Sequence, residues 1–179
     1  MIHTLTLSVM MATAAAFIPA SGMHSPTDSK STTQEFLQKA AEGQQVEMAF
    51  GQLAAERADA AEVKAFGVQM MDDHRKTSVE IRQLASKEGV TLPAELTGKH
   101  KNKKDEFAQL SGTDFDRAYM RYMVRDHMKD VKEFERSARA IKDPRVQQWA
   151  EGTLPLLKQH LRKAQQVAAA IGLNSDTGR

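Results

Sequence analysis

Apolar residues recur at the three- and four-residue spacing of amphipathic α-helices along four long stretches of this chain. These stretches span about 32–58, 59–89, 113–141 and 143–172. Alanine, methionine, leucine, glutamate, lysine and glutamine are abundant and aromatic residues are few, which is typical of helices rather than sheets. The pattern therefore predicts an all-α protein with one core.

Signals at the helix ends predict how the four helices are connected. Asp59 with Glu62 forms a capping box, and Asp143 followed by Pro144 is a helix N-cap with proline at the first helical position. Because both turns are short, the first helix should be antiparallel to the second and the third to the fourth. Residues 90–112 are too many for a tight turn and include a short helical piece, so the second and third helices can run parallel. We predict a four-helix bundle with a long crossover between helices 2 and 3.

Each predicted helix carries one residue of a metal-ligand type on its otherwise apolar line. These residues are Glu47, His74, His127 and His160. Gly43 and Gly51 lie one turn either side of Glu47. Glycine inside a helix costs about 1 kcal/mol relative to alanine, so the pair indicates either a need for room at Glu47 or close helix packing.

The four ligand-type residues are predicted to share one level of the bundle. Glu47 and His74 lie twelve and fifteen residues from the turn at residue 59, and His127 and His160 lie sixteen and seventeen from the turn at residue 143. With a rise of about 1.5 Å per residue, the mismatch within each pair is about 2–4 Å. All four side chains can therefore meet in the middle of the core.

This combination of side chains predicts a site for one divalent transition-metal ion. A single histidine on an apolar face is more often a hydrogen-bonded core residue. Three imidazoles and a carboxylate buried together would need several polar partners, whereas a metal ion uses all their lone pairs at once. Nitrogen and oxygen ligands favour zinc or copper and also suit iron or manganese.

Four neighbouring residues are candidates for supporting roles around this site. Asp73 and Asp126 directly precede two of the histidines and point about 100° away from them, so they are better placed as outer hydrogen-bond acceptors or surface residues than as ligands. Met70 and Met123 lie one turn before the same histidines and would favour copper if they were ligands. Methionines at helical spacing are usually core residues.

Charge and cysteine content narrow the classes of partner. The 179-residue chain has 25 basic and 23 acidic residues, spread along helical faces, which argues against nucleic-acid binding. The cluster of lysines at 99–104 is interpreted as a solvated face. The chain has no cysteine, so disulfides and a lipid-anchored cysteine are excluded.

The N-terminus resembles a cleavable signal peptide. An uncharged apolar run from Leu5 to Ile18 precedes small residues, and we expect cleavage after Ala20 or Gly22, although the segment before the run has no lysine or arginine. The run is too short for a mature transmembrane helix, and no other segment is long enough to cross a membrane. We therefore expect a periplasmic or secreted protein with a disordered lead-in over 23–31, a bundle domain over 32–172 and a flexible tail over 173–179.

Several motifs resemble the exported bacterial proteins of the "domain of unknown function 4142" family, which are often labelled outer membrane proteins. The resemblance covers roughly residues 33–171. It is carried by the spacing of Glu47, Gly51, Leu53 and Ala54, by VKAFGVQMMDDH ending at His74, by FDRAYMRYMVRDH ending at His127 and by LPLLKQH ending at His160. The family implies a ferritin-like four-helix bundle in the cell envelope.

A ferritin-like fold does not by itself imply a di-iron site. Such sites need a glutamate three residues before a histidine on two helices. Here the residues three before the histidines are Met71, Val124 and Leu157. No bridged di-iron centre is expected, and the fold name is not evidence of activity.

Three classes of function are compatible with this sequence. The first is an exported bundle that binds one metal ion for metal handling or envelope stress protection. The second is a metal-dependent redox or hydrolytic enzyme, which would need an open coordination position and an acid or base such as Tyr119, Tyr122 or Asp126. The third is a structural or interaction protein whose buried polar cluster fixes the helix register. The sequence favours the first class and leaves the oligomeric state open.

Overall fold

Four long helices and one short helix make up the protein in a computed structural model that describes residues 26–173. In chain order they are α1 (Pro26–Arg57), α2 (Ala61–Glu88), α3 (Gly98–Ala108), α4 (Gly112–Ala140) and α5 (Pro144–Ala170). The long helices form the predicted bundle, and α3 is the short helix expected within the crossover. The predicted signal peptide over 1–22 lies outside the described residues, as does 174–179.

Both ends of the predicted bundle domain need correction. Helix α1 begins at Pro26 rather than at residue 32, so residues 26–31, expected in a disordered lead-in, are helical. Proline suits a first helical position because that position needs no N–H donor. At the other end Leu173, assigned to the flexible tail, is buried, and its N–H donates to the carbonyl of Ala168 at 2.9 Å.

The turn between α1 and α2 is held by α4 and not by the predicted cap. The helix N-cap is Ala60, which makes no side-chain capping bond. The backbone N–H groups of Asp59 and Ala60 instead donate to the carboxylate of Asp116, at 3.1 and 2.8 Å. This partly buried contact brings the N-terminal ends of α2 and α4 together, and these two helices run parallel within the bundle, as the long crossover allowed.

Helices α1 and α2 approach so closely that two glycines touch. A Cβ atom on Gly51 would lie 2.5 Å from the carbonyl oxygen of Gly67, and one on Gly67 would lie 2.9 Å from the carbonyl oxygen of Gly51. Neither position can hold a side chain without moving the backbones apart. A Cβ on Gly43 would meet nothing within 4 Å. Close helix packing therefore explains why residue 51 is glycine. It does not explain Gly43, where a side chain would have room.

Two apolar clusters fill the bundle, and a polar layer lies between them. The lower cluster surrounds the α1–α2 turn and includes Phe50, Phe66, Met70, Phe107, Phe115, Tyr119 and Met123. The upper cluster includes Phe36, Leu37, Ile81, Phe134, Ile141 and Leu157. The buried polar residues between them include Gln44, Glu47, His74, His127 and His160. Within residues 26–173, no helix is long and apolar enough to cross a membrane.

Candidate metal centre

The three predicted histidines converge in the polar layer. His74 comes from α2, His127 from α4 and His160 from α5, and each ring is at most 3% exposed. Their ring centroids are 5.2 Å (His74 to His160), 5.5 Å (His127 to His160) and 6.1 Å (His74 to His127) apart. One ligand nitrogen from each ring can be chosen so that all three lie within 4.8 Å of one another. The three histidines therefore lie at one level of the bundle, as the residue counts from the two turns predicted.

Each imidazole uses one ring nitrogen for a hydrogen bond to an oxygen acceptor. His74 donates from Nδ1 to the side-chain oxygen of Gln44 at 2.8 Å. His127 donates from Nδ1 to the backbone carbonyl of Met123 at 3.0 Å. His160 donates from Nε2 to the carboxylate of Asp73 at 3.2 Å. A carbonyl or carboxylate oxygen can only accept, so these contacts place the proton of each neutral ring on the bonded nitrogen.

The other nitrogen of each ring keeps its lone pair. These atoms are Nε2 of His74, Nε2 of His127 and Nδ1 of His160, and within the described part of the chain none has a hydrogen-bond partner. Fixing one nitrogen by an outer acceptor so that the other can bind a metal is the usual arrangement of metal-ligating histidines. Each ring therefore leaves one unbonded nitrogen whose lone pair is available to a cation.

Burial keeps these imidazoles neutral. It lowers the pKa of His127 to about 4, with a further lowering from the charge of His160. Burial and the charges of His160 and His127 hold the pKa of His74 well below its usual range. Burial also lowers the pKa of His160, although Asp73 acts in the opposite direction. Because a metal binds only the neutral ring, the site needs no deprotonation near pH 7.

Glu47 lies in the same layer but outside the compact group of three histidines. Its side chain is 1% exposed, and neither carboxylate oxygen has a hydrogen-bond partner among the described residues, although a proton shared with Asp126 would join the two carboxyls. Burial and the charges of Asp126 and Asp130 raise the pKa of Glu47 well above its usual range. Its role as a fourth ligand stays a prediction.

The four residues expected around the site have different positions. Asp73 accepts from His160, on another helix, and burial alone would raise its pKa, but hydrogen bonds from His160 and Lys76 outweigh burial and lower it. Asp126 faces Glu47 on α1. Met70 and Met123 pack in the lower apolar cluster, and Met123 supports His127 through its backbone oxygen.

Two residues of the layer were missed from the sequence. Gln44 bonds His74 and also accepts from the hydroxyl of Thr77. It lies one turn before Glu47 on α1, so its position in the sequence could have indicated that it faces the same polar layer. Asp130 lies one turn after Asp126 and is a second acidic residue on the same face of α4. An acidic residue on a charged helix gives no sequence signal of burial, so Asp130 could not be singled out.

The family resemblance is confirmed by a match over most of the chain. The family described as "Domain of unknown function (DUF4142)" matches residues 19–167. The chain belongs to this family. The family description assigns no activity. Any function must therefore be argued from the residues of the site, and not from membership of the family.

A solved structure supports the bundle fold. The crystal structure of a DUF305 fragment from Deinococcus radiodurans matches with a TM-score of 0.64 and 16% identity, covering 82% of this chain and 97% of that chain. At this identity the likeness shows the fold alone. No curated protein matches the chain.

Proposed function

We propose that this protein binds one divalent transition-metal ion through His74, His127 and His160. The observation that carries the proposal is that three buried imidazoles in one group each leave one nitrogen without a hydrogen bond among the described residues, while the other nitrogen is fixed by an oxygen acceptor. An apolar core gains nothing from three unsatisfied nitrogens, which each cost about 1–3 kcal/mol when buried. A cation would satisfy all three at once.

The identity of the metal follows from the ligands. Three imidazole nitrogens favour Zn²⁺ or Cu²⁺, and Fe²⁺ or Mn²⁺ also fits if a carboxylate takes part. Glu47 is the carboxylate proposed for that fourth position. Its two oxygens are buried and, among the described residues, have no donor other than a proton shared with Asp126, so a cation would compensate the charged form.

The proposed role is metal handling or envelope stress protection in an exported protein. The support for export is the signal-like segment over 1–22, and the support for handling rather than chemistry is the depth of the site. All three imidazoles are at most 3% exposed, so a bound ion would be held away from solvent.

A metal-dependent redox or hydrolytic enzyme is the second candidate. The observation in its favour is that the compact group has three ligands, which is the number that leaves a coordination position open in catalytic zinc sites. Gln69 lines a surface cavity of about 320 Å³ and bonds Asp73, which in turn bonds His160. On this side of the bundle, polar side chains therefore connect the solvent to the ring of His160.

Equilibrium dialysis followed by elemental analysis tests the proposal. The full chain would be dialysed against Zn²⁺, Cu²⁺, Fe²⁺ and Mn²⁺ in turn, beside a His74→Ala, His160→Ala double variant. His100→Ala is the matched control, since His100 bonds Glu42 outside the centre.

One equivalent of one metal, kept by the control and lost by the double variant, is the expected result. Equal metal uptake by the double variant would overturn the proposal, and absence of uptake by the folded parent chain would favour a buried hydrogen-bonded cluster in an interaction protein. A Glu47→Gln variant separates the two candidates. Weaker binding places Glu47 on the metal, and unchanged binding leaves the fourth position open for a substrate.

A further inference from the structure

The three oxygen acceptors that fix the histidines lie at different depths in the protein. Gln44 and Met123, which serve the rings of α2 and α4, are at most 3% exposed. Asp73, which accepts from His160, has a side chain that is 21% exposed. Among the three rings, His160 is therefore the one whose hydrogen-bonded partner reaches solvent.

The surface between α2 and α5 is closed by polar contacts on one side of Asp73 only. Along the described part of the chain, side chains of these two helices bond each other at three levels, which are Glu88 with Arg145 at 2.7 Å, Glu80 with Trp149 at 3.2 Å and Asp73 with His160 at 3.2 Å. The residue numbers fall on α2 as they rise on α5, as expected for antiparallel neighbours. The last of these contacts is the one at the histidine centre.

A surface cavity of about 320 Å³ lies between the same two helices, beyond this last contact. Its lining consists of Gln69 from α2 and Gln159, Arg162, Lys163 and Gln166 from α5. Gln69 donates to one carboxylate oxygen of Asp73 at 3.5 Å, and the same oxygen accepts from His160 at 3.2 Å. One carboxylate group therefore connects the cavity to a ring of the centre.

The Asp73 carboxylate is also easier to displace than the other two acceptors. Apart from His160, it is held by Gln69 and by the exposed ammonium group of Lys76 at 3.1 Å. Rotation of a surface side chain takes only picoseconds to nanoseconds. Removing Gln44 or the backbone of Met123 from its ring would instead disturb the packed interior, because both are buried.

We propose that the metal ion enters and leaves the histidine centre through the cavity between α2 and α5, past the carboxylate of Asp73. The inference rests on the proposed function, because it concerns exchange of the ion bound by the three histidines. A carboxylate is an acceptable oxygen ligand for divalent metals and can hold the ion during its passage. Arg162 and Lys163 make the mouth of this route positive, so a bare dication passes slowly, as suits a protein that retains its ion.

Zinc exchange kinetics test this route. Stopped-flow mixing measures uptake of Zn²⁺ by the full chain, and transfer to an excess of a chromophoric chelator measures release. Gln69→Trp and Gln159→Trp each fill the cavity from one helix, and an Arg162→Gln, Lys163→Gln double variant removes the positive charge of its lining. Gln165→Trp is the matched control, since Gln165 is an exposed residue of α5 outside the lining.

The two cavity-filling variants should slow uptake and release alike by at least ~10-fold, with no change in equilibrium affinity, because a higher barrier on a route alters both rates equally. The charge variant should take up zinc up to ~10-fold faster, and the control should match the parent. Circular dichroism identifies which variants are folded, and either cavity-filling variant alone suffices.

Unchanged rates in a folded cavity-filling variant, equal slowing by Gln165→Trp, or no acceleration in the charge variant would overturn the route and leave the proposed function intact. A lower affinity with faster release in the cavity-filling variants would also overturn it, since the lining would then support the site rather than the passage. Absence of zinc uptake by the parent at equilibrium would overturn both proposals.

Discussion

Three buried histidines and the acidic residues Glu47, Asp126 and Asp130, of which only Glu47 is fully buried, have different surroundings in this bundle. Each histidine has one nitrogen bonded to an oxygen acceptor and one nitrogen without a hydrogen-bond partner in residues 26–173. Glu47 has no such division, because among the described residues its oxygens have no donor other than a proton shared with Asp126, and its charged neighbours are themselves acidic. The difference shows that outer oxygen acceptors, and not burial alone, fix the orientation and the proton of a buried imidazole.

Replacing a ligand of the histidine centre should have the largest effect. His127→Ala removes a fully buried imidazole, and we expect zinc affinity to fall by more than ~100-fold, which exceeds the ~10–100-fold effect of losing an outer acceptor. Competition with a chromophoric chelator measures the change. An affinity within a few-fold of the parent would show that the rings do not share an ion.

In the metal-free protein, His127 and Asp130 should change the free energy of unfolding in opposite directions as the pH changes. A histidine in the unfolded chain takes up a proton near pH 6.5, but buried His127 does so only near pH 4. The unfolded state then binds more protons between these values, so this residue lowers stability as pH falls from 6.5 to 4, by about 3 kcal/mol in total. Urea unfolding across this range measures the effect, and His127→Gln should flatten it.

Asp130 should oppose this trend. Burial, together with the charge of Asp126, raises the pKa of Asp130 from 3.8 to about 7. The native state then holds a proton that the unfolded state has released, so this residue lowers stability as pH rises from about 4 to 7. Asp130→Asn should therefore make stability increase more steeply with pH than in the parent. An identical slope in the two proteins would contradict the burial of this carboxyl.

Loss of an outer acceptor should weaken the histidine centre without abolishing it. Asp73→Ala removes the oxygen that fixes Nε2 of His160, and we expect zinc affinity to fall ~10–100-fold. Asp72→Ala is the matched control, because Asp72 is exposed and paired with Arg75 at 3.3 Å. Isothermal titration of both variants decides the point, and equal affinities would remove Asp73 from the site.

The smallest effects are expected at Gly43 and Gly51, which lie on either side of Glu47. Substitutions at these glycines test how closely α1, the helix that carries Gln44 and Glu47, packs against α2. Gly51→Ala puts a Cβ 2.5 Å from a backbone oxygen, and we expect a loss of about 1–3 kcal/mol in the free energy of unfolding. Gly43→Ala meets nothing within 4 Å, and we expect a gain of up to about 1 kcal/mol. Thermal and urea unfolding measure both. Equal changes would show that the α1–α2 contact is looser than described.

The sequence predicted the parts of this protein that depend on local pattern. Apolar spacing gave the four long helices, and Asp143 with Pro144 marked the start of α5, where the Asp143 carboxylate accepts from two backbone N–H groups. Counting residues from the turns gave the level at which His74, His127 and His160 meet, because helical rise is constant. These inferences need no knowledge of partners distant in sequence.

The parts that failed or were missed depend on tertiary contacts. Asp59 and Glu62 form a capping pattern, but Asp116 from another helix takes that role in the structure. Gln44 and Asp73 act on rings of other helices, which pattern within one helix cannot show. Asp130 has an ordinary surface sequence context, and only the packing of α1 against α4 places it beside Glu47.

X-ray absorption of the zinc-loaded full chain tests the central claim most directly. The account predicts three imidazole ligands, with Zn–N distances of about 2.0–2.1 Å, and loss of this signature in the His74→Ala, His160→Ala variant. A spectrum with one imidazole or none, or one unchanged by the double variant, would contradict the claim that these three histidines form the metal centre.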